Sequence, residues 1–427
     1  MKITPKRPMW MSGYASRDHA AEGTSIDLWA KALALVDPRG QRALLISLDL
    51  VGIDRDFSQE VCAKIGKKHQ LDRPQVALFS SHTHSGPVVG RTLLTMYSLD
   101  DVNRQLVADY TLELESQLVD LSGRAFEQLA PARLAWGNGH STIAVNRRTN
   151  SEPEVPKLRE QGLLKGPVDY DVPVLSVRRP DGKLTAVVFG YACHATVLPF
   201  YDWSGDYPGF AQIALEEAHP GATALFFAGC GADQNPLPRR SVEIARDYGR
   251  SLAGSVDAVL SGVMTGIDGE LETQYSEIPL ALDKLPSRED LLKDGQSTNK
   301  YVAQRAAVIL KQIDAGQPLS QTYPYPVQLW RLGPELQWIT LGGEVVVDYS
   351  LRLKKELGAS STWIAGYAND VMAYIPSLRV LKEGGYEGGG AMVYYGLPTV
   401  WGPEVEESIV REVRALAGAS RGRQLPD

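Results

Sequence analysis

Cysteine is nearly absent: Cys62, Cys193 and Cys230 are the only three in 427 residues. Three scattered thiols do not make a disulfide framework, and Cys193 and Cys230 read as small buried residues. An excess of positive charge is also missing. The net charge is −7, and no Lys/Arg cluster marks a nucleic-acid track. No stretch approaches the roughly 20 apolar residues that span a bilayer, and no amphipathic membrane-docking helix stands out. The first residues, Met1-Lys2-Ile3-Thr4-Pro5-Lys6, lack the apolar core of a secretion signal. A cytoplasmic location is therefore expected, or a secreted or periplasmic one if the chain is trimmed. There is no internal repeat. Phenylalanine is sparse, with 8 residues against 18 Tyr and 8 Trp, so most aromatic side chains carry a polar handle. What is left is chemistry on a small-molecule substrate, with no oligomeric state implied.

A chain of 427 residues with 44% hydrophobic content can bury one large core or two modest ones. Apolar runs predict strands at 42–51, 74–80, 132–137, 173–178, 184–191, 222–228, 323–330, 335–341 and 361–367. Helical periodicity predicts helices at 57–69, 103–129, 208–218, 240–262, 299–315, 344–357 and 404–417. Many β runs are continuously apolar rather than alternating, as in strands covered on both faces. The expected class is α/β, with mixed β-sheet layers flanked by helices. Segments 149–171 and 283–298 are polar and punctuated by Pro or Gly, and read as surface loops.

Candidate chemistry sits at the ends of the apolar runs. Ser81-His82-Thr83-His84-Ser85-Gly86-Pro87 follows the run Gln75–Ser80. If the segment stays extended, His82 and His84 share one face. If it turns between them, one imidazole can bind a metal while the other meets substrate. Tyr191-Ala192-Cys193-His194 closes a second run, Thr185–Gly190. Glu344 follows the run Trp338–Thr340 and Gly342-Gly343, where a helix is expected to open. Asn369-Asp370-Val371-Met372-Ala373-Tyr374 follows a third run, and Tyr386 stands in a glycine-rich loop. Neutral imidazole and carboxylate are the usual ligands of catalytic zinc.

Taken together, these motifs resemble the neutral (non-lysosomal) ceramidase family. The resemblance runs from Met9-Trp10-Met11-Ser12-Gly13-Tyr14-Ala15 and Leu28-Trp29-Ala30-Lys31-Ala32 to the Tyr386 loop. It takes in Asn146-Arg147, Ser204-Gly205-Asp206-Tyr207-Pro208-Gly209, Gly229-Cys230-Gly231 and Gly343-Glu344. It implies the fold of the ceramidase catalytic domain, one zinc-hydrolase unit over 1–427, and no C-terminal immunoglobulin-like domain. It implies a single zinc ion held by His82, His194, Glu344 and Tyr374. It also implies that His84 handles the proton of water and leaving group, and that Arg147 and Tyr386 stabilise the oxyanion. Asp206 is expected to orient a metal-bound His or to form an Asx turn or helix cap, and Trp203 beside it to wall the substrate. Gln234 departs from the family pattern, which has a serine there. A carboxamide is no hydroxyl nucleophile, though it can hydrogen-bond substrate, as can Asn235. The expected reaction is attack of metal-activated water on an N-acyl bond of a substrate more polar than ceramide. The alternatives are a sugar-bearing glycoside, lactone or ester, and a binding protein without catalysis.

Overall fold

The structure, a computed structural model, describes residues 1–421. Positions 422–427 of the unit expected over 1–427 lie outside the described residues. Three mixed sheets form the interior, and the α/β layering expected from the continuous apolar runs is present. The first has Ala30–Val36 antiparallel to Arg42–Leu48, which runs parallel to Val76–Ser80. The second is five-stranded, in the order Thr223–Ala228, Leu184–Tyr191, Asp171–Arg178, Arg133–His140 and Thr265–Ile267. The third is four-stranded, in the order Leu271–Ala281, Thr322–Leu332, Leu336–Leu341 and Thr362–Ala365. All five residues of Val76–Ser80 and all six of Leu336–Leu341 are buried, the signature of strands covered on both faces.

One face of every sheet contributes to a shared apolar cluster that includes Leu45, Phe79, Leu175, Val188, Phe227, Trp330, Trp338 and Trp363. The outer faces are covered by helices. Arg55–His69 and Asp101–Glu127 pack with the first sheet, Asp206–Ala218 and Val242–Ser261 with the second, and Val347–Leu357 and Val405–Arg421 with the third. The sequence supplies these helices with stops and starts. Asp54 caps Arg55–His69 by accepting from Phe57 N, and Ser241 caps Val242–Ser261 through Ile244 N.

Some elements differ from expectation. Strands Ala30–Val36 and Leu271–Ala281 carry alternating or largely polar patterns, and form because an antiparallel neighbour completes their ladders. The expected loop 149–171 contains the helix Val155–Glu160, pinned where Val155 packs on Val145 and Leu237. Segment 283–298 contains Arg288–Asp294, capped by Ser287. The helix expected at 344–357 begins only at Val347. Gly343, at φ +76°, turns the chain and lets Glu344 N donate to Ala373 O at 2.8 Å. Glu344–Val345 thereby becomes a short parallel strand beside Tyr374–Ile375.

Trp338 is the hub of the shared cluster, with ring centroids 4.7 Å from Phe227, 5.2 Å from Phe79 and 5.7 Å from Trp363. Trp338→Ala opens a cavity among three sheets and is expected to cost roughly 3–5 kcal/mol. Urea denaturation would check this; a loss below about 1 kcal/mol would mean that the sheets do not depend on this contact.

Candidate active site

Short backbone bridges at the strand ends bring distant segments together. Thr83 bridges Ala195 in parallel, and His84 N donates to Ala195 O at 3.2 Å, so the His82–His84 turn lies beside His194. Glu344 and Tyr374 are direct partners in their two-residue ladder. Gln234–Pro236 pairs antiparallel with Ala144–Asn146, and Arg147 N donates to Asp233 O at 2.9 Å, which carries Arg147 to the same place. His82 has φ +61°, so its segment is turned rather than extended. Even so, both imidazoles reach one point: His82 Nε2 and His84 Nε2 are 3.0 Å apart.

The ring nitrogens fix the chemistry of this point. His82 Nδ1 lies 2.6 Å from Val51 O, and His194 Nδ1 lies 2.8 Å from Gly231 O. A carbonyl can only accept, so each Nδ1 carries a proton, and each ring turns its Nε2 inward. Those two nitrogens meet Glu344 Oε2 at 3.2 Å each. Burial would raise the Glu344 carboxyl, but His82 and His194 hold it well below the usual carboxylate range. Burial, with Arg147 nearby, lowers His194 to about 4. The two Nε2 atoms and Glu344 Oε2 thus converge, and Glu344 Oε2 is buried with no well-aligned hydrogen-bond donor among the described residues. Tyr374 OH joins them 3.2 Å from His194 Nε2. Such a set of two imidazoles, a carboxylate and a phenol fits a divalent cation and is poorly satisfied without one. His84 also belongs to the group: the ligand atoms of His82, His84 and His194 lie within 4.8 Å of one another.

A cleft of about 710 Å³ opens over this point, lined by His84, Arg147, Asn235, Tyr374 and Tyr386 among others. Arg147 is held on three sides, by Glu387 Oε1 at 2.7 Å, Asn235 Oδ1 at 3.2 Å and Tyr374 OH at 3.1 Å. Burial would lower its pKa, but Tyr374 and Glu387 keep it fully protonated. Tyr386 is 45% exposed, with its ring 5.3 Å from that of Tyr374. His84 fits only because residue 13 is glycine: a Cβ there would stand 2.5 Å from His84 Cγ. A larger hollow of about 970 Å³ lies along the edge of Ala30–Val36, and no histidine lines it.

Residues 4–234, more than half of the chain, match the family described as "Neutral/alkaline non-lysosomal ceramidase, N-terminal". The chain belongs to this ceramidase family. "Neutral ceramidase 2" of Arabidopsis thaliana is 25% identical over 256 residues, 58% of this chain and 32% of that protein. "Neutral ceramidase A" of Dictyostelium discoideum is 24% identical over 228 residues, 50% of this chain and 30% of that protein. The chain spans about a third of the length of the curated relatives it matches. The crystal structure of neutral ceramidase from Pseudomonas aeruginosa superposes with a TM-score of 0.76 at 21% identity, covering 100% of this chain and 74% of that one. A second structure, "Ceramidase complexed with C2", gives 0.76 at 19% identity, covering 99% of this chain and 74% of that one. The fold is therefore that of the ceramidases.

Within this ceramidase fold, three expected site residues take other positions. Trp203 is 3% exposed, packs in the core beneath the first sheet and is not among the residues lining the cleft, so it cannot wall substrate there. Asp206 orients neither His82 nor His194, because both of those rings are already held by carbonyls. Its carboxylate instead accepts from Leu198 N at 2.9 Å and Tyr207 N at 2.7 Å, bracing the loop after His194 at the start of a helix. Gln234 faces away from the cleft: its Nε2 donates to Ala192 O at 2.5 Å, and its Oε1 accepts from Asp169 N at 3.1 Å. It ties the His194 loop to the segment carrying Asn235. Asn235 does line the cleft.

Four contributors stand outside the expected metal and catalytic set. Arg17 donates to Ser12 O and His84 O, holding the histidine turn. Glu387 fixes both Arg147 and Arg148. The Tyr367 ring lies 4.2 Å from that of His82. Tyr395 donates to Glu344 Oε1. Glu387 had a possible signal, since a buried arginine needs a carboxylate partner and Glu387 adjoins Tyr386. Arg17 had none, because it acts on carbonyls.

Gln234→Ser would install the hydroxyl expected from the family resemblance. It would also leave Ala192 O and Asp169 N unpaired, so a loss of about 1–3 kcal/mol in denaturant unfolding is expected. Unchanged stability would show that Gln234 does not brace the site.

Proposed function

We propose that this chain is a zinc-dependent hydrolase of an N-acyl bond, acting on a substrate more polar than ceramide. The observation that carries the reading is the buried oxygen Glu344 Oε2, 3.2 Å from two inward-facing imidazole nitrogens that adjoin His84 and Tyr374 of the cleft lining. In this reading His82, His194, Glu344 and Tyr374 hold one zinc ion. When bound, zinc supplies a Lewis acid that makes water acidic near neutral pH. Proposed ligands stand on segments from position 82 to position 374, so we read the chain as one catalytic unit.

The chain's own residues would divide the remaining work. His84 lines the cleft, and its Nδ1 is uncommitted. Burial and the neighbouring His82 and His194 push its pKa well below the ordinary value, so its ring is neutral and able to accept a proton. It would take the proton of the attacking water and pass it to the leaving nitrogen. Arg147, locked in direction by its three partners, and the partly exposed Tyr386 would donate to the carbonyl oxygen as negative charge develops there. The cleft wall supports a polar substrate. Arg147, Arg148, Arg239, Glu152, Glu383 and Glu387 line it, while Met96 and Leu237 are its larger aliphatic members. The same wall favours, as a second reading, a sugar-bearing ester, lactone or glycoside.

Two measurements separate the roles. Metal analysis of purified protein is expected to give one zinc per chain, lost in Glu344→Ala. His84→Ala should keep the metal and lower kcat/KM by about 10²–10⁴. Loss of metal in His84→Ala but not in Glu344→Ala would replace this ligand set with three imidazoles. A panel of N-acyl amino acids, N-acyl amino sugars, short esters and glycosides tests the bond. Removal of metal by a chelator should abolish turnover of the N-acyl compounds, and turnover of glycosides alone would overturn the amidase reading.

A further inference from the structure

Glu344 has two carboxylate oxygens in different surroundings. Oε2 faces the imidazoles and, among the described residues, has no well-aligned hydrogen-bond donor. Oε1 accepts from the hydroxyl of Tyr395. Tyr395 follows the glycine-rich segment and is fixed there from the other side of the site. Thr95 N donates to Tyr394 O at 3.1 Å, Thr95 Oγ1 donates to Val393 O, and Tyr395 N closes a turn onto Met392 O at 3.2 Å. Its ring stands 6.4 Å from that of Tyr374 at 79°, and the two phenols have different partners: Tyr395 OH meets Glu344, whereas Tyr374 OH meets His194 and Arg147. Tyr395 is not among the residues lining the substrate cleft; it lines a separate hollow of about 320 Å³. It is therefore placed to act on the carboxylate and not on substrate.

We propose that Tyr395 is a positioning residue that holds Glu344 to one-oxygen coordination, occupying Oε1 so that only Oε2 is offered to the metal. This rests on Glu344 being a metal ligand, as proposed above. A carboxylate with both oxygens free can swing to grip a cation with two, which adds a ligand and closes the coordination position that water needs. A hydrogen bond to the outer oxygen also fixes the plane of the group, and loss of such a partner commonly weakens metal binding 10- to 100-fold.

The test compares Tyr395→Phe with Glu344→Gln and the parent, all metal-free at the start. Zinc affinity is measured by competition with a chromophoric chelator, and cobalt(II) is added separately to read coordination number from its visible absorption. Tyr395→Phe is expected to bind zinc about 10- to 100-fold more weakly. Its cobalt bands should weaken, as they do when coordination number rises, while the unfolding midpoint of the metal-free protein stays near that of the parent. Parent-like affinity and an unchanged cobalt spectrum would overturn the proposal. So would a lowered metal-free midpoint with an unchanged cobalt spectrum, since that marks a packing role only. Glu344→Gln separates the two layers. If it binds zinc as the parent does, the ligand assignment itself fails. If it loses zinc while Tyr395→Phe does not, only the role of Tyr395 fails.

Discussion

The site depends on two imidazoles and a carboxylate being made to converge on one point. The backbone enforces this. Val51 O and Gly231 O accept from Nδ1 of His82 and His194, so both rings turn Nε2 toward Glu344. Glu344 Oε2 is buried 3.2 Å from each of these nitrogens, with no well-aligned hydrogen-bond donor among the described residues, an arrangement that costs free energy in a buried setting. The folded chain holds it, so its apolar packing must offset the cost. A cation would be met by all three atoms at once, which is why the geometry fits a metal site better than a polar core.

The cost is visible in the backbone around the site. His82, Asp206, Tyr367 and Asn369 are non-glycine residues at positive φ, between +52° and +62°. Each such residue costs on the order of 1–3 kcal/mol and persists only where its surroundings determine it. Those surroundings are the bridges. Ser80 N donates to Tyr367 O, Tyr367 N to Gly343 O, and Asn369 N to Leu78 O, so the strand that ends in the histidine turn is sewn to the strand that ends in the glutamate turn. The shared cluster around Trp338 and Phe79 lies behind the same strands. Strain at the strand ends is thus tied to the best-packed part of the interior.

Much of this was legible in the sequence. The apolar runs located the core strands, Leu184–Tyr191 at its full extent, because continuous burial leaves a continuous signal. His82, His194, Tyr374 and Glu344 stood out as chemical groups at the ends of such runs. Two-residue ladders could not be read. Glu344–Val345 beside Tyr374–Ile375 has no periodicity to detect, and the pattern around Glu344 resembles a helix start because one begins three residues later. The histidine contact offered for Asp206, one of its two expected roles, and the substrate contact of Gln234 did not materialise for a different reason. Both have side chains suited to substrate or histidine contact, and both are spent on backbone groups that only the tertiary fold brings near. Residue type names a capacity, while the neighbouring unpaired backbone atoms decide how it is used.

That use of Gln234 bears on substrate as well. A buried carboxamide bracing the Ala192 and Cys230 carbonyls leaves no room for a hydroxyl acting in the cleft from that position. The cleft above is walled largely by ion pairs: Arg147 and Arg148 share Glu387, and Glu152 serves both Arg239 and Arg240. An alkyl chain gains roughly 0.8 kcal/mol per methylene only where it leaves water for an apolar wall. Laid against these pairs, it would gain less and would strip water from charges that stay charged. A compact substrate rich in hydroxyls, amides or a carboxylate would exchange its own hydration for guanidinium and phenol contacts at little loss. On the proposed reading, the residues beside the cleft would set a carbonyl next to a metal, and the cleft walls would favour a polar group attached to that carbonyl.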